Sequence, residues 1–138
     1  RYKYWEINTA RKFIEDIIYS FLEINKKLVI PYTLVLKTKK KININHHDKS
    51  YQNIKNFAKK NGVLEANLDC NIFELINNSS LSIVAPFASS AHICSFMDKK
   101  CIYYDPKEEI KFIPKDHLKI SLIKGKNELN QFLLKTLK

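Results

Sequence analysis

Only two glycines, Gly62 and Gly125, occur in the 138 residues. Glycine-rich phosphate loops of the Walker or classical dinucleotide type need several glycines within a few residues, so both are excluded. Any phosphate must then be met by a helix end, hydroxyls and cations. Arginine is equally scarce, because all 24 basic residues except Arg1 and Arg11 are lysines. The arginine fork makes the bidentate contacts of base readout, and its shortage argues against sequence-specific DNA binding. The three cysteines, Cys70, Cys94 and Cys101, include no CxxC pair and form an odd set. They fit reduced thiols in a cytoplasmic protein better than a disulfide framework or a zinc site. His46-His47 reads as part of a solvated loop, and neither metal nor cofactor is expected. No apolar run approaches the roughly 18 residues of a membrane span, and no signal peptide opens the chain. A cytoplasmic location, with peripheral contact at the inner membrane face as an option, is the expectation.

What the chain does contain suits a folded domain. Apolar residues make up 45% and aromatic residues 12%, which excludes wholesale disorder. The length supports one hydrophobic core and is short for two, so a single domain over residues 1–138 is expected. The net charge of +10 suits a nucleic acid, an anionic lipid surface or a phosphorylated substrate. The chain starts at Arg1, inside a lead-in to a helix, and reads as a fragment of something longer.

Apolar spacing predicts the elements. Phe13, Ile14, Ile17, Ile18, Phe21 and Leu22 mark an amphipathic helix from Asn8 or Thr9 to about Asn25, with Arg11, Lys12, Glu15, Asp16 and Glu23 on its polar side. Tyr32–Leu36 reads as a buried strand emptying into the basic segment Lys37–Lys41. Residues 42–50 read as a loop, followed by a helix from about Ser50 that closes at Asn61-Gly62. Val63–Ala66 is a short strand, and Asp69 or Asn71 caps a brief helix bearing Ile72, Phe73, Leu75 and Ile76. Leu81–Ala85, Lys100–Tyr104 and Lys119–Ile123 complete the strands, with helices over Ser89–Asp98 and Glu128–Leu137. Such alternation predicts an α/β fold: a doubly wound, mainly parallel five-stranded sheet flanked by helices.

In a parallel sheet the carboxyl ends of the strands share one edge, where ligands bind. Three predicted strand ends carry polar chemistry: Lys37 and Lys39, the turn Pro86-Phe87-Ala88-Ser89-Ser90, and Asp105. Hydroxyls at a helix start together with lysines suit a monophosphate or diphosphate. The plainer alternative is a buried strand followed by a serine-capped helix.

The stretch Leu81-Ser-Ile-Val-Ala-Pro-Phe-Ala-Ser-Ser-Ala91, followed by a helix and by Lys100-Cys-Ile-Tyr-Tyr-Asp-Pro106, resembles the polysaccharide biosynthesis family known for its Pro-Phe-Thr-Ser motif. More distantly it is similar to the carboxyl-terminal, Rossmann-like halves of GT-B type glycosyltransferases and to glycerophosphate polymerases. Here Ala88 stands in place of the motif's threonine, which removes one hydroxyl, and Leu36-Lys-Thr-Lys39 matches a Lys-Pro-Lys-like segment with threonine for proline.

The resemblance implies a nucleotide-sugar donor-binding domain of a glycosyltransferase in surface or capsular polysaccharide biosynthesis. It further implies a glycan or lipid-linked acceptor, with an amino-terminal domain outside this chain supplying the catalytic base. Under it Ser89 and Ser90 bind donor phosphate, Lys37 and Lys39 neutralise it, and Asp105 contacts the ribose or sugar. His46, His47 and His92 are the imidazoles near these segments, and none is assigned a catalytic role. The competing reading is a non-enzymatic basic α/β module docking on anionic lipid or nucleic acid through Lys37, Lys39, Lys40 and Lys41. A receiver-like domain is disfavoured, since Lys37–Lys41 occupies the strand end where receivers need aspartates.

Overall fold

In the computed structural model, which describes residues 7–37, 44–66, 70–86, 88–111 and 120–137, helices and short parallel strands alternate along the chain. The chain divides into two units, Arg1–Asp69 with Lys138, and Cys70–Leu137.

In the amino-terminal unit, helix α1 (Ile7–Asn25) buries Ala10, Ile17, Ile18, Phe21 and Ile24, close to the predicted apolar stripe. Its buried face departs from that stripe: Thr9, Asp16 and Ser20 are buried and Leu22 is exposed, with α2 (Ile44–Lys60) packed against the helix. Asp16, expected among the solvated residues, is buried and paired with Lys12 at 3.2 Å. Helix α2 begins at Ile44, so His46 and His47 lie in a helix and not in the expected loop. Apolar periodicity marks only the packed part of a helix, and polar opening turns carry no such signal. The end of α2 is as predicted. Gly62 adopts φ +84, Val63 N–H donates to Ala58 O at 3.0 Å and Gly62 N–H to Lys59 O at 3.1 Å, the pattern of a Schellman stop.

Strand β1 (Val35–Leu36) pairs in parallel with β2 (Leu64–Glu65), in the register Val35 to Leu64. The predicted run from Tyr32 is shortened for a local reason. Asn25 Nδ2 donates to Tyr32 O at 3.0 Å and Tyr32 N–H donates to Asn25 Oδ1 at 2.9 Å. Both backbone groups of Tyr32 are thus held by a side chain and withdrawn from any ladder. Nor is the pair fully buried, since Val35 and Leu64 are exposed.

The carboxyl-terminal unit contains α3 (Ile72–Asn77), β3 (Ser82–Val84), α4 (Ser90–Phe96), β4 (Cys101–Asp105), β5 (Ser121–Lys124) and α5 (Gly125–Thr136). Asn71, one of two predicted caps, accepts from Phe73 N–H at 2.9 Å and so starts α3. The three strands run parallel in the order β3-β4-β5, with Val84 beside Tyr103 and Asp105 beside Lys124. Every residue of the central strand β4 is buried, as expected for a parallel strand covered on both faces. Alternation puts Cys101 and Tyr103 on one face, packed with Ile76, Ala91 and Cys94. Helix α5 packs on β4 and β5, burying Leu129 and Leu133.

All five predicted strands exist, but among the described residues they form parallel sheets of two and three strands, not one ladder of five. The fold is α/β. Among the described residues β1 and β2 pair only with each other, whereas β4 has a partner on either side.

Candidate functional site

The candidate edge lies at the carboxyl ends of β3, β4 and β5. After Val84 the chain turns sharply: Ala88 N–H donates to Ala85 O at 3.0 Å across a turn whose second residue is the buried Pro86. Proline favours that position because its φ is already fixed near the turn value. Ser89 follows in helical conformation, φ −64 and ψ −27, and α4 begins at Ser90. Ala91 N–H donates to Ala88 O at 3.1 Å and His92 N–H to Ser89 O at 3.0 Å. The helix start is therefore tightly wound, and these two N–H groups are engaged within the chain and are not open to an anion.

Ser89 distinguishes between the two readings of this turn. A serine cap has extended backbone and accepts from an N–H two or three residues on. Ser89 has neither property: its backbone is helical, it makes no side-chain capping bond, and it is exposed. Ser90, half-buried, is the first helical residue. The hydroxyl of Ser89 thus faces solvent at a strand end without a capping duty.

Asp105 ends β4, the strand beside β3, two residues beyond the Tyr103 that pairs with Val84. It is wholly buried, and its Oδ2 accepts Ile110 N–H at 2.7 Å, while its carbonyl accepts Glu108 N–H at 3.4 Å. The carboxylate holds the segment leaving the strand. Wholly buried as it is, Asp105 presents no exposed oxygen to a sugar hydroxyl in this structure.

Lys124, which sequence reasoning missed, ends β5 directly beside Asp105. Residues paired in a parallel ladder point to the same face, so Lys124 lies on the face of Tyr103 and α4. A lysine between the predicted strand and Gly125 was the available signal, but only the register sets it beside Asp105. Beyond it Gly125 adopts φ +76, and a Cβ there would come within 2.7 Å of Glu108 Oε2. The positive φ favours glycine here, whereas the Glu108 carboxylate, at the end of a flexible side chain, can move aside. Glu128 Oε1 accepts Lys124 N–H at 3.0 Å and fixes the strand-to-helix junction, so α5 starts at Gly125, earlier than the predicted Glu128.

The structure thus brings Pro86, Ser89, Ser90 and Asp105 to one sheet edge. Lys37 follows β1 in the amino-terminal unit, where it is half-buried and takes part in an interaction. Lys39 and Phe87 lie outside the described residues. A concavity of about 520 Å³ in the carboxyl-terminal unit, lined among others by Ser95, Asp98, Lys99, Lys100 and Ser121, lies at the opposite end of the sheet. Among the described residues no three His, Cys, Asp or Glu side chains are grouped to hold a metal, and no helix is long and apolar enough to cross a membrane.

Two of the three thiols belong to the core. Cys94 is fully buried and Cys101 nearly so. Burial first, and then the neighbouring Cys94 thiol, push the Cys101 thiol well above its ordinary range. Maleimide labelling of the folded protein, read by mass spectrometry, is expected to modify the half-buried Cys70 and to reach Cys94 and Cys101 only in denaturant. Labelling of all three at one rate in the native state would contradict the buried thiol pair.

The family described as polysaccharide biosynthesis PFTS motif protein matches residues 1–133. No curated protein and no solved structure matches the chain. Through a match spanning almost the whole sequence, the chain belongs to the polysaccharide biosynthesis PFTS motif family, and its role lies in polysaccharide synthesis.

Proposed function

We propose that the chain binds the nucleotide-sugar donor of a glycosyltransferase, as the carboxyl-terminal part of a two-domain enzyme. The observation that carries this reading is the exposed Ser89 hydroxyl, freed from capping on the strand-end turn of the family's motif. Ser89 and Ser90 donate hydrogen bonds to donor phosphate oxygens, and Lys124 adds a positive charge on the same sheet edge. The resemblance gives Lys37 and Lys39 a neutralising role as well.

In the reaction an acceptor hydroxyl attacks the anomeric carbon. The new glycosidic bond forms as the bond from that carbon to the phosphate oxygen breaks, the acceptor proton passes to a base, and a nucleotide phosphate departs with the electron pair. Hydroxyls and lysine held on a rigid sheet edge stabilise the charge that develops on the departing phosphate. The general base comes from the partner domain, which also presents the glycan or lipid-linked acceptor. Such donors are cytoplasmic metabolites, and the reading assigns the chain to that compartment.

Calorimetric or NMR titration with uridine and guanosine diphosphates and monophosphates tests this. Ser89→Ala with Ser90→Ala, and separately Lys124→Gln, are expected to weaken binding about tenfold or more. Lys37→Gln with Lys39→Gln forms an independent arm. Absence of any binding at millimolar nucleotide, or affinity indifferent to the serine and Lys124 substitutions, would overturn the assignment.

A further inference from the structure

The segment between α1 and Tyr32, Lys26-Lys27-Leu28-Val29-Ile30-Pro31, is built in an unusual way. Its base is fastened by the two hydrogen bonds between Asn25 and the backbone of Tyr32, at 3.0 and 2.9 Å, and by Lys27 N–H donating to Ile24 O at 2.9 Å. The Tyr32 ring also meets the buried Phe21 edge-on, with centroids 6.4 Å apart. At the tip the two β-branched apolar residues face outward: Val29 is 99% exposed and Ile30 82%.

Single exposed apolar side chains are ordinary, but two neighbours displayed almost completely on a fastened loop mark an interaction surface. Lys26 and Lys27, both exposed, precede the tip. Lys26 pairs with Glu23 at 3.3 Å, but both side chains are largely in water, so the pair is weak and open to exchange.

We infer that this tip is a wedge for an anionic lipid bilayer: Val29 and Ile30 enter the acyl boundary while Lys26 and Lys27 meet the phosphate headgroups. Charge complementarity favours that occupant, since the apolar pair is preceded by lysines in a chain of net charge +10. Size favours it as well. A specific protein interface covers roughly 800 Å² on each partner with matched shape, far more than two side chains offer, whereas a bilayer needs no matched shape. The lysines used here are not those of the segment after β1, and the inference stands independently of the donor-binding reading.

Co-sedimentation of the full chain with vesicles tests it, comparing phosphatidylcholine alone with phosphatidylcholine containing phosphatidylglycerol. The wild type is expected to bind the anionic vesicles and not the neutral ones, less so as salt rises. Val29→Ser with Ile30→Ser is expected to lower the partition at least about tenfold. Lys26→Gln with Lys27→Gln should lower it by about the same factor. Phe96→Ser, which removes an exposed aromatic ring from the carboxyl-terminal unit, should leave it unchanged. Because Val29 and Ile30 touch little, circular dichroism and thermal melting should report intact folds for both tip variants. The inference fails if the wild type binds no vesicles, or binds both kinds alike. It also fails if the serine variant matches wild type, or if Phe96→Ser loses as much. A serine variant that changes oligomeric mass but not vesicle binding would identify the tip as a protein contact and overturn the inference. Nucleotide titration of the same variants separates the two readings: tip substitutions should leave it untouched.

Discussion

Tyr103→Ala is expected to unfold the carboxyl-terminal unit or leave it barely folded at room temperature. Tyr103 is wholly buried at the centre of β4, with parallel neighbours on both sides and Ile76, Ala91, Cys94 and Cys101 around it. Truncating so large a side chain in such a site costs about 3–5 kcal/mol, the lost transfer energy plus the cavity left behind. A unit of this size has little more than that to lose. Tyr103→Phe is the control. It keeps the ring and removes only the hydroxyl, and is expected to cost about 1 kcal/mol. Urea denaturation followed by circular dichroism reads both. A loss under about 1 kcal/mol for the alanine variant would mean that β4 is not the core of this unit.

The second large effect belongs to Asp105. With Asp105→Ala the N–H of the half-buried Ile110 loses its acceptor, and the segment leaving β4 loses its anchor. Losing the bond and the packing of the wholly buried Asp105 side chain is expected to cost about 1–3 kcal/mol. Asp105→Asn keeps an oxygen acceptor of the same shape and should cost clearly less. Amide exchange at Ile110, accelerated in the alanine variant and largely protected in the asparagine one, would tie the effect to this bond. If both variants were stable but bound nucleotide weakly, Asp105 would belong to the ligand site and not to the loop.

Much of this fold was legible because its signals are local. Asn71 capping α3 and Asn61-Gly62 ending α2 act within a few residues, and the structure forms both as the sequence implied. The five strands were visible as apolar, β-branched runs. Their grouping into a pair and a trio was not, because an apolar run marks a strand without saying which strand lies beside it. The withdrawal of Tyr32 by Asn25 is a contact across seven residues with no sequence signature. Helix α2 began earlier than expected because polar residues in its opening turns leave no periodic trace.

The candidate site divides in the same way. The turn at Pro86 was readable from a proline after an apolar run. That Ser89 would adopt helical backbone and not cap the helix was not, since the same residues suit both geometries. Asp105 was found from its place at a strand end, but its bond to Ile110 depends on how the following segment folds back. Lys124 became a candidate only once the register set it beside Asp105.

The strand order β3-β4-β5 carries a consequence for how this unit comes into being. Each strand lies beside the one made just before it, so no pairing has to wait for a segment far downstream. Loop closures stay short in sequence, and low contact order speeds folding. On the ribosome, β3 and α4 can form while β4 emerges, and β4, exposed on one side only, needs just β5 and α5 to complete it. The unit can therefore assemble in the order of its synthesis, and the interval with an open hydrophobic edge lasts only until the last strand and helix are released.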